Sequence, residues 1–416
     1  MKKLLALLLA VVMVTCLFAG CAETGNNGTE GTESTGENAS AYKIAMITDY
    51  GDITDQSFNQ TTWEACVAFG EKNNIPVKYY KPDSDDTSAR VAKVELAIAD
   101  GNNVIVMPGY AFGGTIAEVA PDYPNVKFIA LDVSKGDLLE AAVALAGEQY
   151  DYNPDNWDLS KYLKMDNVYC AIYQEELCGY MAGYAAVKLG YTKLGFLGGM
   201  AVPAVIRYGY GFVQGADAAA KEMKINIDVK YAYGNQFFGD ADITARMDTW
   251  YQGGTEIVFA CGGGIYTSAV DAAKKVNGAK VIGVDVDQAA VITAYAAGKD
   301  ASEAELAKWK DLTVTSAMKG LYPTTVDTLT DVLINDKWSE YAGKIDTLGL
   351  VSGDDPTVNY VQIPMESTQW KDGKFTQNDY KALVKGMFDG TIKVSNDIAK
   401  EPAVTNADVD YQGNIK

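Results

Sequence analysis

Short apolar runs that each end in a polar or glycine-bearing crossing, followed by a stretch at helical spacing, recur along most of this chain and limit its possible folds. Tyr42-Lys-Ile-Ala-Met-Ile-Thr48, Val104-Ile-Val-Met-Pro108 and Phe128-Ile-Ala-Leu-Asp132 form a first set. Val168-Tyr-Cys-Ala-Ile172, Lys193-Leu-Gly-Phe-Leu197, Ile225-Asn-Ile-Asp-Val229, Ile257-Val-Phe-Ala260 and Val281-Ile-Gly-Val284 form a second. Such runs are apolar on both faces, as strands of a parallel sheet covered by helices must be. Two sets predict two sheets and therefore two α/β lobes, which suits 416 residues, too many for one ordinary core.

The start reads differently. Met1-Lys-Lys3, an uncharged apolar run to Ala19 and then Gly20-Cys21 form a secretory signal over residues 1–20, too short for a membrane span. Leu17-Phe-Ala-Gly-Cys21 resembles a lipobox, which makes Cys21 the expected lipidation site, although Phe18 departs from the aliphatic residue usual there. An ordinary signal cut nearby, releasing a free secreted protein, is the other reading. Residues 21–40 carry no large apolar side chain and read as a tether reaching roughly 25 Å.

Several function classes drop out on composition. The formal net charge of −20 repels nucleic-acid backbones and anionic lipid, so no polymer-binding role is expected. The chain has no histidine, which removes the usual general base and imidazole metal ligands. Cys66, Cys170, Cys178 and Cys261 fall in apolar elements without a CxxC pair, and are expected as buried free thiols. No catalytic set, metal site or cofactor site is expected.

The most polar crossing is Thr48-Asp-Tyr-Gly-Asp-Ile-Thr-Asp-Gln-Ser-Phe-Asn-Gln-Thr-Thr-Trp63. It joins the first strand to a helix at the carboxyl edge of a sheet, where α/β proteins hold small ligands. Ser57 is the expected N-cap. Asp49 ends the first strand and Asp132 ends Phe128-Ile-Ala-Leu131, so both carboxylates are expected to converge on one cleft. Asp52 and Asp55 are expected to cap the turn or face solvent.

Gly51-Asp-Ile-Thr-Asp-Gln-Ser-Phe-Asn59 resembles the N-terminal signature of the basic-membrane-protein family, the lipoprotein nucleoside-binding components of ABC importers. Four further stretches resemble it in the same order: Glu175-Glu-Leu-Cys-Gly-Tyr-Met-Ala-Gly-Tyr184, Leu194-Gly-Phe-Leu-Gly-Gly-Met200, Ile282-Gly-Val-Asp-Val-Asp-Gln288 and Thr315-Ser-Ala-Met-Lys319. The resemblance implies a type I periplasmic-binding-protein-like fold, with two Rossmann-like lobes joined by a hinge. On this plan residues 41–165 and 312–340 form the N-terminal lobe and 166–311 and 341–416 the C-terminal lobe.

It also implies a site. Phe58 would stack on a nucleoside base, though a core phenylalanine on a helix face fits its position too. The opposite face would be closed from Tyr233-Gly-Asn-Gln-Phe-Phe-Gly-Asp240 by Phe238, with Phe237 the other register. Asp49, Asn59 and Asp132 would meet base edges. Asp285 and Lys319 would hold the ribose, or else form an ion pair at the hinge. Gly264, in Cys261-Gly-Gly-Gly-Ile-Tyr266, would let backbone approach the ligand. Glu175 and Glu176 read as helix-start charges. The implied protein is a lipid-anchored monomer outside the cytoplasm that binds a nucleoside, a purine one by expectation, and passes it to ABC permease subunits. Alternatives are the same fold with riboflavin or a sugar-like signal, or a carboxylate-based nucleoside hydrolase. The stretches near 150–166 and 293–311 are longer than the family's usual connections, the second with a short helix capped by Ser302.

Overall fold

The computed structural model describes residues 41–415, so the signal, Cys21 and the tether lie outside the described residues. Thirteen strands are described: β1 (Ile44–Ile47), β2 (Val77–Tyr80), β3 (Val104–Pro108), β4 (Lys127–Leu131), β5 (Val168–Tyr173), β6 (Lys193–Gly198), β7 (Ile227–Tyr233), β8 (Ile257–Cys261), β9 (Lys280–Asp285), β10 (Thr313–Lys319), β11 (Ile345–Leu348), β12 (Val361–Gln362) and β13 (Ala407–Asn414). They form two sheets, ordered β11-β5-β4-β3-β1-β2 and β12-β10-β9-β8-β6-β7-β13. Every pairing is parallel except β10 with β12. Strands β1, β3 and β8 are buried at every residue, because helices cover both faces.

Strand order reverses beside β1 in one sheet and beside β6 in the other. A crevice opens at the carboxyl ends of the strands at each such point. The crossings after β1 and β3 therefore face those after β6 and β8 across the gap between lobes.

Three strands sit in the lobe opposite to the one expected. Val168–Tyr173 pairs with β4 in the first sheet, Thr313–Lys319 with β9 in the second, and Ile345–Leu348 with β5 in the first. The chain thus changes lobe just after β5, just after β10 and between β11 and β12. A strand that is apolar on both faces fits either sheet, so its composition carries no lobe assignment. The helix Leu321–Leu329 does return to the first lobe, against the helix Phe58–Asn73. The three crossings bind one another: Gln174 N donates to Leu348 O at 2.9 Å, Tyr360 N to Gly349 O at 3.0 Å and Gly320 N to Tyr360 O at 2.7 Å.

Residues 150–165 fold beneath the first lobe, where Tyr150, Trp157 and Tyr162 pack on Leu139 and Val143. The second long connection holds the helix Glu303–Trp309, capped by Ser302 in a capping box with Glu305. All four cysteines among the described residues are buried and free.

One helix pair positions the site. Glu175–Leu189 and Pro203–Met223 cross with their backbones nearly touching, through Gly179 and Gly183 on one and Gly211 and Gly215 on the other. A Cβ at these glycines would lie 2.2 Å from Tyr208 O, 2.1 Å from Phe212 O, 2.1 Å from Glu176 O and 2.0 Å from Tyr180 O. That contact fixes Glu175, Arg207 and Tyr208 relative to each other. Gly183→Ala is expected to lower unfolding free energy by about 2–3 kcal/mol in urea titrations. Gly136→Ala, where a Cβ meets nothing closer than 3.5 Å, is expected to be neutral or stabilising. Equal effects of the two substitutions would contradict the close crossing.

Candidate functional site

The site is built around one ammonium group. Lys319 ends β10, and its Nζ forms a short ion pair with Asp132 Oδ2. Glu175 Oε1 lies 3.6 Å from it and Asp285 Oδ1 3.7 Å. Asp132 stands just beyond β4 and Asp285 ends β9, so the cluster joins carboxylates from both lobes. Both aspartates adopt left-handed backbone, with φ of 60° and 63°, a conformation uncommon outside glycine that aspartate tolerates. At strand ends it turns the side chain toward the cleft, and such strain is typical of functional positions.

The remaining partners complete the network. Ser57 Oγ donates to Asp285 Oδ2 at 2.6 Å and the Tyr208 hydroxyl donates to Asp285 Oδ1 at 3.2 Å. Arg207 Nε donates to Glu175 Oε2 at 2.6 Å. Lys319 Nζ also lies 4.7 Å from the centre of the Phe58 ring, a cation–π contact. Burial alone would discharge Lys319, but Asp132, Asp285 and Glu175 outweigh it and hold the amine charged, above the ordinary lysine range. Burial pushes the Asp132 carboxyl up, and Lys319 opposes that rise. Three carboxylates around one ammonium make the ionised pair the form that the geometry supports. Asp132 Oδ1 has no hydrogen-bond partner among the described residues.

A cavity of about 280 Å³ lies between the lobes against this cluster, at the small end for ligand pockets. All eight residues singled out from the sequence line it: Asp49, Phe58, Asn59, Asp132, Phe238, Gly264, Asp285 and Lys319. Phe237 and Phe238 both do, but differently. Phe237 packs over Gly199 and Gly262, each of which would clash with it as alanine, whereas Phe238 is about half exposed. Phe237 is thus the one held by packing. Gly264 N donates to Phe237 O at 2.9 Å, which ties the two crossings together.

The polar turn after β1 is largely satisfied from within. Asp49 Oδ1 accepts from Tyr50 N and Gly51 N, both at 2.6 Å, and from Asn59 Nδ2 at 3.0 Å. Asn59 Nδ2 also donates to Asp55 Oδ2 at 3.0 Å, so both amide protons have partners before any ligand arrives. Asn59 thus shapes the turn. Ser57, expected as the N-cap of Phe58–Asn73, makes no capping bond. Asp55 caps instead, accepting from Ser57 N, Asn59 N and Gln60 N, and Ser57 is freed to reach across to Asp285. Gln288 Nε2 donates to Gln56 O at 3.2 Å in a second bond between lobes.

Sequence reasoning missed Arg207, Tyr208 and Glu175. A glutamate opening a helix reads as a cap, yet Glu175 is fully buried between two cations. A signal existed: the chain has only three arginines, and one follows a glycine-rich crossing on the predicted ligand edge. Among the described residues no carboxylate and thiol group forms a metal site. No helix among them is long and apolar enough to cross a membrane.

The profile of the Bmp family, ABC transporter substrate-binding protein PnrA-like, matches residues 42–354. The chain belongs to this family. Among its relatives is the ABC transporter nucleoside-binding protein BmpA of Lactococcus lactis, 27% identical over 297 residues, covering 69% of this chain and 74% of the relative. An uncharacterized lipoprotein of Pyrococcus furiosus is 23% identical over 401 residues, covering 94% and 88%. A solved ABC transporter solute-binding protein from Conexibacter woesei superposes with a TM-score of 0.58 at 20% identity, over 85% of this chain and 99% of that one. The fold is therefore that of type I solute-binding proteins. A substrate-binding protein of an ABC importer works outside the cytoplasm and has permease subunits as partners.

Lys319→Met takes the shared cation away from Asp132, Glu175 and Asp285, leaving only Arg207 on Glu175. Burial then pushes the Asp132 carboxyl above its unfolded value near pH 4 with no lysine to oppose the rise, so stability is retained at low pH and lost as pH rises. The loss relative to wild type is expected to be small at pH 5 and about 3–5 kcal/mol at pH 8 in denaturant titrations. A loss independent of pH would contradict the charge arrangement.

Proposed function

We propose that this protein captures a purine nucleoside between its lobes and delivers it to an ABC permease, held at the membrane by a lipid on Cys21. The observation that carries the reading is a single small cavity that Phe58 and Phe238 line from opposite lobes, with Lys319, Asp132 and Asp285 in the same wall. A nucleoside has those two ends: a flat base that gains from ring stacking and a sugar dense in hydroxyls. A bicyclic base offers rings more area than a monocyclic one, which favours purines.

The ammonium and carboxylates of the cluster supply donors and acceptors for vicinal hydroxyls in a site largely closed to water. Asp132 Oδ1, unpartnered among the described residues, offers one acceptor. Selectivity follows because a ligand without matching hydroxyls leaves buried polar groups unpaired. The nucleoside-binding name of the Lactococcus relative and the lipoprotein name of the Pyrococcus one support the ligand class and the anchor.

Two experiments test this reading. In titration calorimetry Phe58→Ala is expected to weaken inosine or guanosine binding by roughly 10–100-fold, the range of one lost stacking contact. Melting of the ligand-free protein should change little, and unaltered affinity would count against stacking. For the anchor, Cys21→Ser is expected to move the protein from the membrane to the soluble fraction. Wild-type protein found wholly in the soluble fraction would end the lipid proposal.

A further inference from the structure

Arg207 stands at the start of the second turn of Pro203–Met223, in the wall of the cavity. Its side chain is 14% exposed, and Glu175, which accepts from its Nε, is fully buried. Arginine has five N–H donors in a fixed fork, and Nε carries only one of them. Among the described residues its two terminal nitrogens make no hydrogen bond. Glu175 therefore holds the guanidinium in place while four donors remain for the cavity.

The charges nearby restrict what those donors can meet. Asp132, Asp137 and Asp285 line the same cavity and Glu175 lies behind Arg207, against the two cations Arg207 and Lys319. A phosphate or carboxylate on the ligand would meet this excess of carboxylates. A group that only donates would meet the arginine's own protons. A hydroxyl satisfies both sides, accepting from Arg207 and donating to Asp132, whose Oδ1 has no partner. Asp285 already accepts one bond on each oxygen, from Ser57 and Tyr208, which leaves it one further lone pair on each.

We infer that Arg207 is a specificity-determining residue that donates to one hydroxyl of the ligand's sugar. The inference rests on the nucleoside reading above. A purely structural arginine, serving only to neutralise Glu175, would affect all ligands alike when replaced. A reading arginine affects one hydroxyl.

The test is titration calorimetry of inosine, its 2′-, 3′- and 5′-deoxy analogues and hypoxanthine. The proteins are wild type, Arg207→Lys, and the double variant Arg207→Met with Glu175→Gln, which leaves no unpaired buried carboxylate. Wild type is expected to prefer inosine over at least one deoxy analogue by about tenfold or more. In the double variant that one ratio should fall to near unity, while the other ratios persist. Arg207→Lys, which keeps the charge and loses the fork, should lower the same ratio, and it carries the test alone if the double variant does not fold. Uniform weakening with every ratio unchanged, or no discrimination by wild type, overturns the inference while leaving nucleoside binding intact. Failure of wild type to bind inosine at all overturns the nucleoside reading, and this inference with it.

Discussion

An ammonium buried among three carboxylates is the interaction on which the rest of this structure depends. Lys319 comes from the second sheet, Asp132 from the end of a first-sheet strand, Glu175 from a helix at a lobe crossing and Asp285 from a neighbouring second-sheet strand. A buried charge group of this kind is weak evidence for stability, since desolvation offsets most of the attraction. What it supplies is registry. Asp132 has Lys319 as its partner only when the two lobes stand in one arrangement, and Ser57 and Gln288 add hydrogen bonds across the same gap. In a solute-binding protein that is where ligand energy can act, because only contacts that differ between open and closed lobes shift the balance.

The scaffold behind the cluster is correspondingly stiff. The glycine-lined crossing of Glu175–Leu189 with Pro203–Met223 leaves no slack between the carboxylate of Glu175 and the guanidinium of Arg207. The three lobe crossings are stitched together by backbone hydrogen bonds at Gln174, Gly349, Tyr360 and Gly320. A rotation about that seam moves the lobes as bodies, and the contacts of Lys319 with Asp132, Asp285 with Ser57 and Gln288 with Gln56 make or break together. Closure should accordingly be more two-state than graded, in keeping with packed interfaces that have discrete arrangements.

Much of this was legible in the residues. Alternating apolar runs and polar crossings announce two parallel sheets, and five ordered motifs point to the residues that surround the cavity. What the pattern could not carry was lobe membership. Val168–Tyr173 and Thr313–Lys319 are buried on both faces, and such strands look alike in either sheet. Local chemistry misled at Ser57, because Asp55 two residues earlier also accepts from first-turn amides and takes the capping role. It was silent at Arg207 and Glu175, whose meaning comes from two helices pressed together, a relation that no spacing within either helix records.

The central claim is that the lobes close over a nucleoside with rings at its base and the Lys319 cluster at its sugar. A crystal structure of the protein grown with saturating inosine tests it most directly. The account predicts the hypoxanthine ring between Phe58 and Phe238, and ribose oxygens within hydrogen-bond distance of Lys319 and Asp285. A closed cleft without nucleoside, or a bound nucleoside with its sugar turned away from Lys319, would contradict it.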